Sequence, residues 1–274
     1  MISLLFGNFL RFFIFMNVLL ALKISLVPSL ILAVTLAGRR WGAKVAGCLA
    51  AFPVVAGPIL FFIAMDQGAN FAAHAAAAAI LAVVGNIAYG IAYAWASRRQ
   101  SWLTSLMAGW AAYFCIIGLF SLFELSGLQA ALLTAASLWL APRMYPQISP
   151  DPALAAKPAP DLIYRMMAGL ALVLAVTFFS GKLGPQLSGL LAVFPVMGSV
   201  LTVFSHRNVS QAFAVRLLQG MVQGFYAFTM FCLVLASTLA SHSITASFFM
   251  AFAAAVLIQT ALMYGQSRLA LKPN

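Results

Sequence analysis

The chain has 274 residues, of which 64% are hydrophobic and only 7% are charged, and its formal net charge is +11 at pH 7. A soluble domain normally carries charges on about a quarter of its residues, so this composition excludes a soluble globular protein. The basic residues are spread between apolar runs rather than gathered into one patch, which is the usual topology signal of a membrane protein. Nucleic acid is therefore not an expected partner.

Apolar stretches of about 20 residues, the length that crosses a bilayer core, recur along the chain. They predict an all-α polytopic membrane protein with about nine transmembrane helices, at 15–38, 43–64, 70–96, 102–123, 126–142, 162–180, 185–205, 211–238 and 244–265. A short tenth helix over 2–14 stays open. We interpret the first residues as retained in the protein rather than as a cleaved signal peptide.

Residues 143–161 form the predicted linker, because prolines and polar residues interrupt any helical period there. The linker separates a first repeat half with its linking span, 1–142, from a second half, 162–274, within one membrane domain. Basic residues cluster in alternate loops, which predicts a cytoplasmic linker and C-terminus for a multi-pass protein of the cell (inner) membrane.

A repeat joins the two halves. Residues 42–54 read GAKVAGCLAAFPV and residues 184–196 read GPQLSGLLAVFPV, at an offset of 142. The identical pairs are Gly42/Gly184, Gly47/Gly189, Leu49/Leu191, Ala50/Ala192, Phe52/Phe194, Pro53/Pro195 and Val54/Val196. If 126–142 crosses the membrane, the halves form an inverted 4+1+4 repeat, an arrangement common among secondary transporters. If it does not cross, the repeats are parallel.

The two FPV motifs are the first candidate solute site, formed by Phe52, Pro53, Phe194 and Pro195. A proline inside a helix removes an N–H donor and breaks or kinks the helix. Lipid cannot satisfy the freed carbonyl groups, so such a break must face protein or a water-filled cavity. An ordinary kink with tight glycine packing is the structural alternative.

Polar residues inside other spans are further candidates for lining a solute path. They are Asn86 and Tyr89 in 70–96, Gln219 and Gln223 in 211–238, and Gln259, Thr260 and Tyr264 in the last span. Gln219 and Gln223 are four residues apart and therefore share a helix face. Arg216 lies about one turn inside its helix, where it either snorkels to the headgroups or attracts an anionic solute or a lipid phosphate.

The G-x-L-A-x-F-P-V stretches resemble the corresponding motif of the GlpM-like small membrane proteins, which carry one copy in a much shorter chain. The residues concerned are Gly47, Leu49, Phe52 and Pro53, with Gly189, Leu191, Phe194 and Pro195 in the second copy. The resemblance implies descent from a fused dual-topology ancestor, and it brings no assigned activity with it.

No catalytic motif of the HExxH, GxSxG or P-loop type is present, and only four residues are acidic. We therefore expect no enzyme, no cofactor and no metal site. The leading hypothesis is a secondary transporter or permease for a small solute, with an anionic solute preferred. The alternatives are a non-catalytic membrane subunit or scaffold of an envelope or lipid-handling complex, and a lipid flippase-like protein. The expected partners are the bilayer and a small-molecule or lipid substrate, and a homodimer stays open.

Overall fold

The computed structural model describes residues 21, 24–54, 56–123, 127–148, 161–180 and 193–270, and every regular element among them is an α-helix. The helices are α1 (Ile24–Trp41), α2 (Ala43–Ala51), α3 (Ala56–Gln67), α4 (Ala69–Ala96), α5 (Trp102–Phe120), α6 (Gly127–Met144), α7 (Leu162–Ser180), α8 (Val196–Asn208), α9 (Gln211–Thr238) and α10 (Ile244–Ala270). The predicted helix over 2–14 lies outside the described residues, as does most of the linker.

Within the described part of the chain, six helical segments are long and apolar enough to cross a membrane. They are Ile24–Trp41, Ala43–Met65, Ala69–Ala96, Trp102–Phe120, Gln211–Thr238 and Ile244–Gly265. The all-α prediction is confirmed for the described residues, and the six segments are compatible with a multi-pass membrane protein. The predicted spans 126–142 and 162–180 are helical as α6 and α7, but neither is among these six segments. α7 has a shorter apolar helix over Leu162–Val176.

Several predicted helix ends are wrong by a few residues. α1 continues beyond 38 to Trp41, and it ends there because Gly42 adopts φ +88°, a backbone conformation that side-chain-bearing residues rarely adopt. α5 stops at Phe120 rather than at residue 123. α6 continues through Pro142 to Met144, so the linker begins two residues later than predicted.

α4 and α9 form the centre of the bundle, and each is 28 residues long. They run antiparallel. Gln211 at the start of α9 donates a hydrogen bond to Ser97 just after α4, at 3.1 Å, whereas Leu218, later in α9, lies next to Gly90, earlier in α4. Both helices have buried residues along their whole length. They are therefore the scaffold on which the other helices are placed.

α2 packs against α9 with direct contact between the two backbones. A Cβ atom at Gly220 would overlap the Lys44 carbonyl oxygen, and one at Gly224 would overlap the carbonyl oxygen of Cys48. Because the contacts advance together along both helices, α2 and α9 run parallel. Small residues four apart allow this close approach in membranes, where helices associate by packing rather than by the hydrophobic effect.

α6 lies beside α4 and runs in the same direction. The Thr134 hydroxyl donates to the Ile80 carbonyl at 3.0 Å, and the Trp95 indole N–H donates to the Met144 carbonyl at 2.8 Å. The two contacts are separated by most of the length of α6. The linking helix therefore follows α4 from its middle to its C-terminal end.

Candidate functional site

Both FPV motifs break their helices with the same tight backbone turn. The Val54 amide donates to the Phe52 carbonyl at 2.7 Å, and the Val196 amide donates to the Phe194 carbonyl at 2.7 Å. Pro195 has φ −72° and ψ 56°, close to an inverse γ-turn. Proline thus breaks the helix in both copies, and the turns are called the first and the second break below.

Each helix resumes in the same way after its break. The Gly57 amide donates to the Pro53 carbonyl at 3.0 Å, and the Ser199 amide donates to the Pro195 carbonyl at 2.8 Å. The equivalence extends further, because α4 and α9 begin 142 residues apart and so do α5 and α10. The glycine-rich part of the second motif, residues 184–192, lies outside the described residues.

The two FPV phenylalanines pack across the halves. Phe52 of the first half makes an edge-to-face contact with Phe252 of α10, with ring centroids 6.0 Å apart. Phe194 of the second half packs on Trp110 of α5, at 5.6 Å. Phe252 and Trp110 are themselves 142 residues apart. Each half therefore holds the broken helix of the other half by an equivalent aromatic contact.

Asn86 of α4 supports the backbone at the second break. Its side-chain amide donates to the Val193 carbonyl, just before Phe194, at 3.1 Å and to the Ala82 carbonyl of its own helix at 3.0 Å. A carbonyl that is left without its helical partner needs such a donor away from water. The predicted Asn86 is thus placed at the second break by a specific contact.

A buried group of neutral polar side chains surrounds Asn86, and we call it the polar cluster. It consists of Asn86, Tyr89, Trp110, Ser199 and Thr202. The Trp110 indole N–H donates to the Ser199 hydroxyl at 2.9 Å. Tyr89 and Thr202 are 1% and 0% exposed. The Tyr89 hydroxyl lies near Ser199 and Thr202, yet neither it nor the Thr202 hydroxyl makes a hydrogen bond of acceptable geometry.

The corresponding positions at the first break are all apolar. Counted 142 residues along the chain, they are Gly57, Leu60, Phe228, Phe231 and Phe252. Phe231 and Phe252 lie beside Gly57, where a Cβ atom would be 3.5 Å from each ring. The two breaks therefore have the same backbone conformation, but the side chains around them differ in polarity. The sequence analysis missed Ser199, Thr202 and Trp110. The signal that could have found them is that these polar residues of one repeat correspond to apolar residues in the other.

The remaining predicted residues of α9 lie on a different surface. Arg216, Gln219 and Gln223 are all half-buried and follow one face of the helix, as their spacing predicts. The contacts that form the polar cluster come instead from α4, α5 and α8.

In α10 the three predicted path-lining residues do not share one face. Gln259 is buried and donates to the Cys48 sulfur at 2.9 Å, whereas Thr260 and Tyr264 are exposed. Adjacent residues on a helix point about 100° apart, so Gln259 and Thr260 cannot share a face.

A second group of polar residues, the Asp161 cluster, joins three helices. Arg165 of α7 donates through Nη2 to the Asp161 carboxylate at 2.7 Å, Asn208 at the end of α8 donates at 2.7 Å, and Arg39 of α1 lies at 3.2 Å. Burial by itself raises the pKa of the Asp161 carboxyl, but the hydrogen bonds from Arg165 and Asn208 and the charges of both arginines hold that pKa below its ordinary value. The sequence analysis had placed Asp161 in the linker without a role.

Comparison with known proteins does not assign this chain to a family. No family model, curated protein or solved structure matches this chain. The resemblance to the GlpM-like proteins therefore stays a prediction from the motif. The function has to be argued from the chemistry of the site itself.

Substitution of two neighbouring tyrosines, Tyr89 and Tyr93, tests whether the polar cluster stabilises the fold. Tyr89→Phe removes a buried hydroxyl without a hydrogen bond, so it is expected to leave the free energy of unfolding unchanged or to raise it by about 1 kcal/mol. Tyr93→Phe is the matched control on the same helix. Its hydroxyl is bonded to His206 Nδ1 at 3.0 Å, and its loss is expected to cost about 1 kcal/mol.

Unfolding of the purified protein in detergent measures both variants. Equal losses of stability in the two variants would mean that the Tyr89 hydroxyl has a structural partner after all.

Proposed function

We propose that this protein is a small secondary transporter of the cell membrane, built as an inverted 4+1+4 repeat, which moves a small polar solute through a site at the second break. The observation that carries the proposal is the pair of buried, neighbouring hydroxyls on Tyr89 and Thr202 beside a broken helix, neither of which makes a hydrogen bond of acceptable geometry with the described residues. Buried polar groups in proteins are nearly always paired. A group that has no partner within the protein can be paired by a ligand.

The directions of the helices support the inverted arrangement. α2 runs parallel to α9, and α9 runs antiparallel to α4. α8 runs parallel to α4. Asn86 is hydrogen-bonded to Val193 just before α8, and Tyr93, later in α4, is hydrogen-bonded to His206, later in α8.

α3 and α8 are the helices that follow the two breaks. α3 continues in the direction of α2, because both run antiparallel to α10, with Cys48 next to Gln259 and Phe61 next to Phe248. α3 and α8 therefore run in opposite directions, which supports an opposite orientation of the two copies.

The course of α6 supports a linking helix that crosses the membrane. It passes α4 in the same direction and ends level with Trp95 near the C-terminal end of α4. Arg98 and Arg99 follow α4, and Arg143 lies in the last turn of α6. An accumulation of basic residues on one side favours the cytoplasmic face for both ends and hence for the linker.

Broken helices related in this way are suited to alternating access. In transporters of this type, discontinuous helices meet near the bilayer midplane, and one repeat rocks against the other around the bound solute. Here the contacts of Phe52 with Phe252 and of Phe194 with Trp110 link each break to the opposite half. A movement between the halves would therefore act on both breaks at once.

Cysteine accessibility tests the proposal without knowledge of the solute. Ser199→Cys is made in a background in which Cys48, Cys115 and Cys232 are replaced by serine, which also preserves an acceptor for Gln259. We expect membrane-impermeant thiol reagents to modify this cysteine in right-side-out and in inside-out vesicles. Alternating access is the reason, because a transport site opens in turn to both sides.

Ser247→Cys is the matched control. Ser247 is as deeply buried as Ser199 and its hydroxyl lacks a hydrogen bond, but it lies in the first turn of α10, away from the break. We expect it to react from one side at most. Modification of Ser199→Cys from neither side or from only one side would contradict transport and favour a scaffold, and equal labelling of the control would make the result nonspecific.

A further inference from the structure

We propose that the polar cluster binds one uncharged solute per chain, a molecule with both hydrogen-bond donors and acceptors such as a small polyol or a primary amide. This inference rests on the proposed function and names the substrate class of the same site. It departs from the anionic solute that the basic residues of the sequence favoured.

The chemistry of the lining argues against a charged solute. The five side chains of the polar cluster are an amide, an indole and three hydroxyls, all without charge. The buried ions near the end of α8, Asp161 and Arg165, are already paired with each other at 2.7 Å. Moving an ionised solute into such a site without a counter-charge costs several kcal/mol, whereas a neutral solute loses only hydrogen bonds that the site can replace.

The helix terminus at the second break does not provide the missing positive charge. An anion bound at a helix N-terminus needs free backbone N–H groups. The Val196 amide is already used by the Phe194 carbonyl, and Pro195 has no N–H to donate. The break therefore offers less to an anion than an open helix end would.

The free hydrogen-bonding capacity fits a solute with several polar groups. The hydroxyls of Tyr89 and Thr202 can each donate and accept. They lie near each other, but neither makes a hydrogen bond of acceptable geometry with the described residues. The Ser199 oxygen accepts from Trp110, which leaves its hydrogen available for donation. Three neighbouring hydroxyls match hydroxyl, carbonyl or amide groups on the solute.

At equivalent positions in the two repeats, only the second break has polar side chains around it, so we expect one solute to bind per chain. At the first break the positions equivalent to Ser199, Thr202 and Tyr89 are Gly57, Leu60 and Phe231. These residues offer no side-chain hydrogen bond. The first break is therefore an apolar partner of the binding site rather than a second binding site.

Protection of the Ser199→Cys reporter tests this proposal. The variant keeps the hydroxyls of Tyr89 and Thr202, so the reporter sits in an otherwise intact lining. The probes are matched pairs, lactamide against its isostere lactate and glycerol against glycerate, at equal concentration and pH 7. We expect the uncharged member of at least one pair to slow thiol modification about 3- to 10-fold, the equivalent of one or two neutral hydrogen bonds, and the anion to have no effect.

Two further variants connect the protection to the named hydroxyl. Thr202→Val, added to the reporter, is expected to abolish protection. Thr229→Val is the matched control, since Thr229 is also buried and its hydroxyl also lacks a hydrogen bond, but it lies on α9. Protection by the anions, or by neither member of both pairs, would overturn the substrate class while two-sided labelling still upheld transport. Loss of two-sided labelling would instead overturn the proposed function.

Discussion

Gly47→Ala is expected to force α2 away from α9 and to lower the free energy of unfolding by about 3 kcal/mol, the upper end of the cost of overpacking. A Cβ atom at this position would overlap the Leu217 carbonyl oxygen and would come within 2.8 Å of the Met221 amide nitrogen. Both are backbone atoms of α9, so no side-chain rotation can relieve the clash. The two helices have to separate along their line of contact.

Thermal or denaturant unfolding in detergent measures this loss. Gly118→Ala on α5 is the matched control, because a Cβ atom there would meet nothing within 4 Å and alanine favours the helix over glycine. We expect the control to be neutral or stabilising. A Gly47→Ala variant as stable as the control would mean that α2 and α9 do not pack as closely as described.

The result also bears on the transport proposal. α2 leads directly into the first break, and its contact with α9 holds that break against the centre of the bundle. If Gly47→Ala folds, we expect it to alter the proposed movement of the two halves around the first break as well as to lower stability.

Asp161→Asn is expected to be the most damaging change of a single charge, with a loss of about 3 kcal/mol or more. Arg165 is 5% exposed and forms two of its hydrogen bonds with the Asp161 carboxylate. The amide keeps the shape of the carboxyl group but leaves the guanidinium buried without a counter-ion. Because the cluster joins α1, α7 and the end of α8, the loss would loosen all three.

Arg39→Gln is the control within the same cluster. Its side chain is 32% exposed and approaches Asp161 at 3.2 Å, and a partly exposed pair of this kind contributes about 1 kcal/mol or less. Unfolding measurements on both variants should therefore differ clearly. A larger loss for Arg39→Gln than for Asp161→Asn would contradict the assignment of Asp161 as the centre of the cluster.

The pH dependence of stability gives an independent reading of Asp161. Its pKa is lower in the folded protein than in the unfolded chain, so the folded state favours the ionised form. The resulting stabilisation is fully present above the unfolded pKa of about 4 and is lost as the pH falls through the lowered folded pKa. We expect wild-type protein to lose stability over this acidic range and Asp161→Asn to lack that part of the loss.

The sequence by itself determined the membrane class, the main helices and the positions of the breaks. These features depend on local properties of the chain: the length of apolar runs, the missing N–H of Pro53 and Pro195, and the identity of residues 142 positions apart. Helix ends were less certain because they depend on single residues, such as Gly42 at the end of α1. The inverted arrangement was a prediction of the sequence and stays part of the proposal.

Only the tertiary structure decided which polar residues meet. Asn86 and Tyr89 were found from the sequence, but Trp110, Ser199 and Thr202 join them because α5 and α8 both contact Tyr89, through Gly109 and Gly198. Gln259 and Thr260 looked alike in the sequence, yet one is buried and the other faces outward. In a chain that is apolar on nearly every helix face, periodicity cannot say which face meets a neighbour and which meets lipid. That choice is made by packing between helices far apart in the sequence.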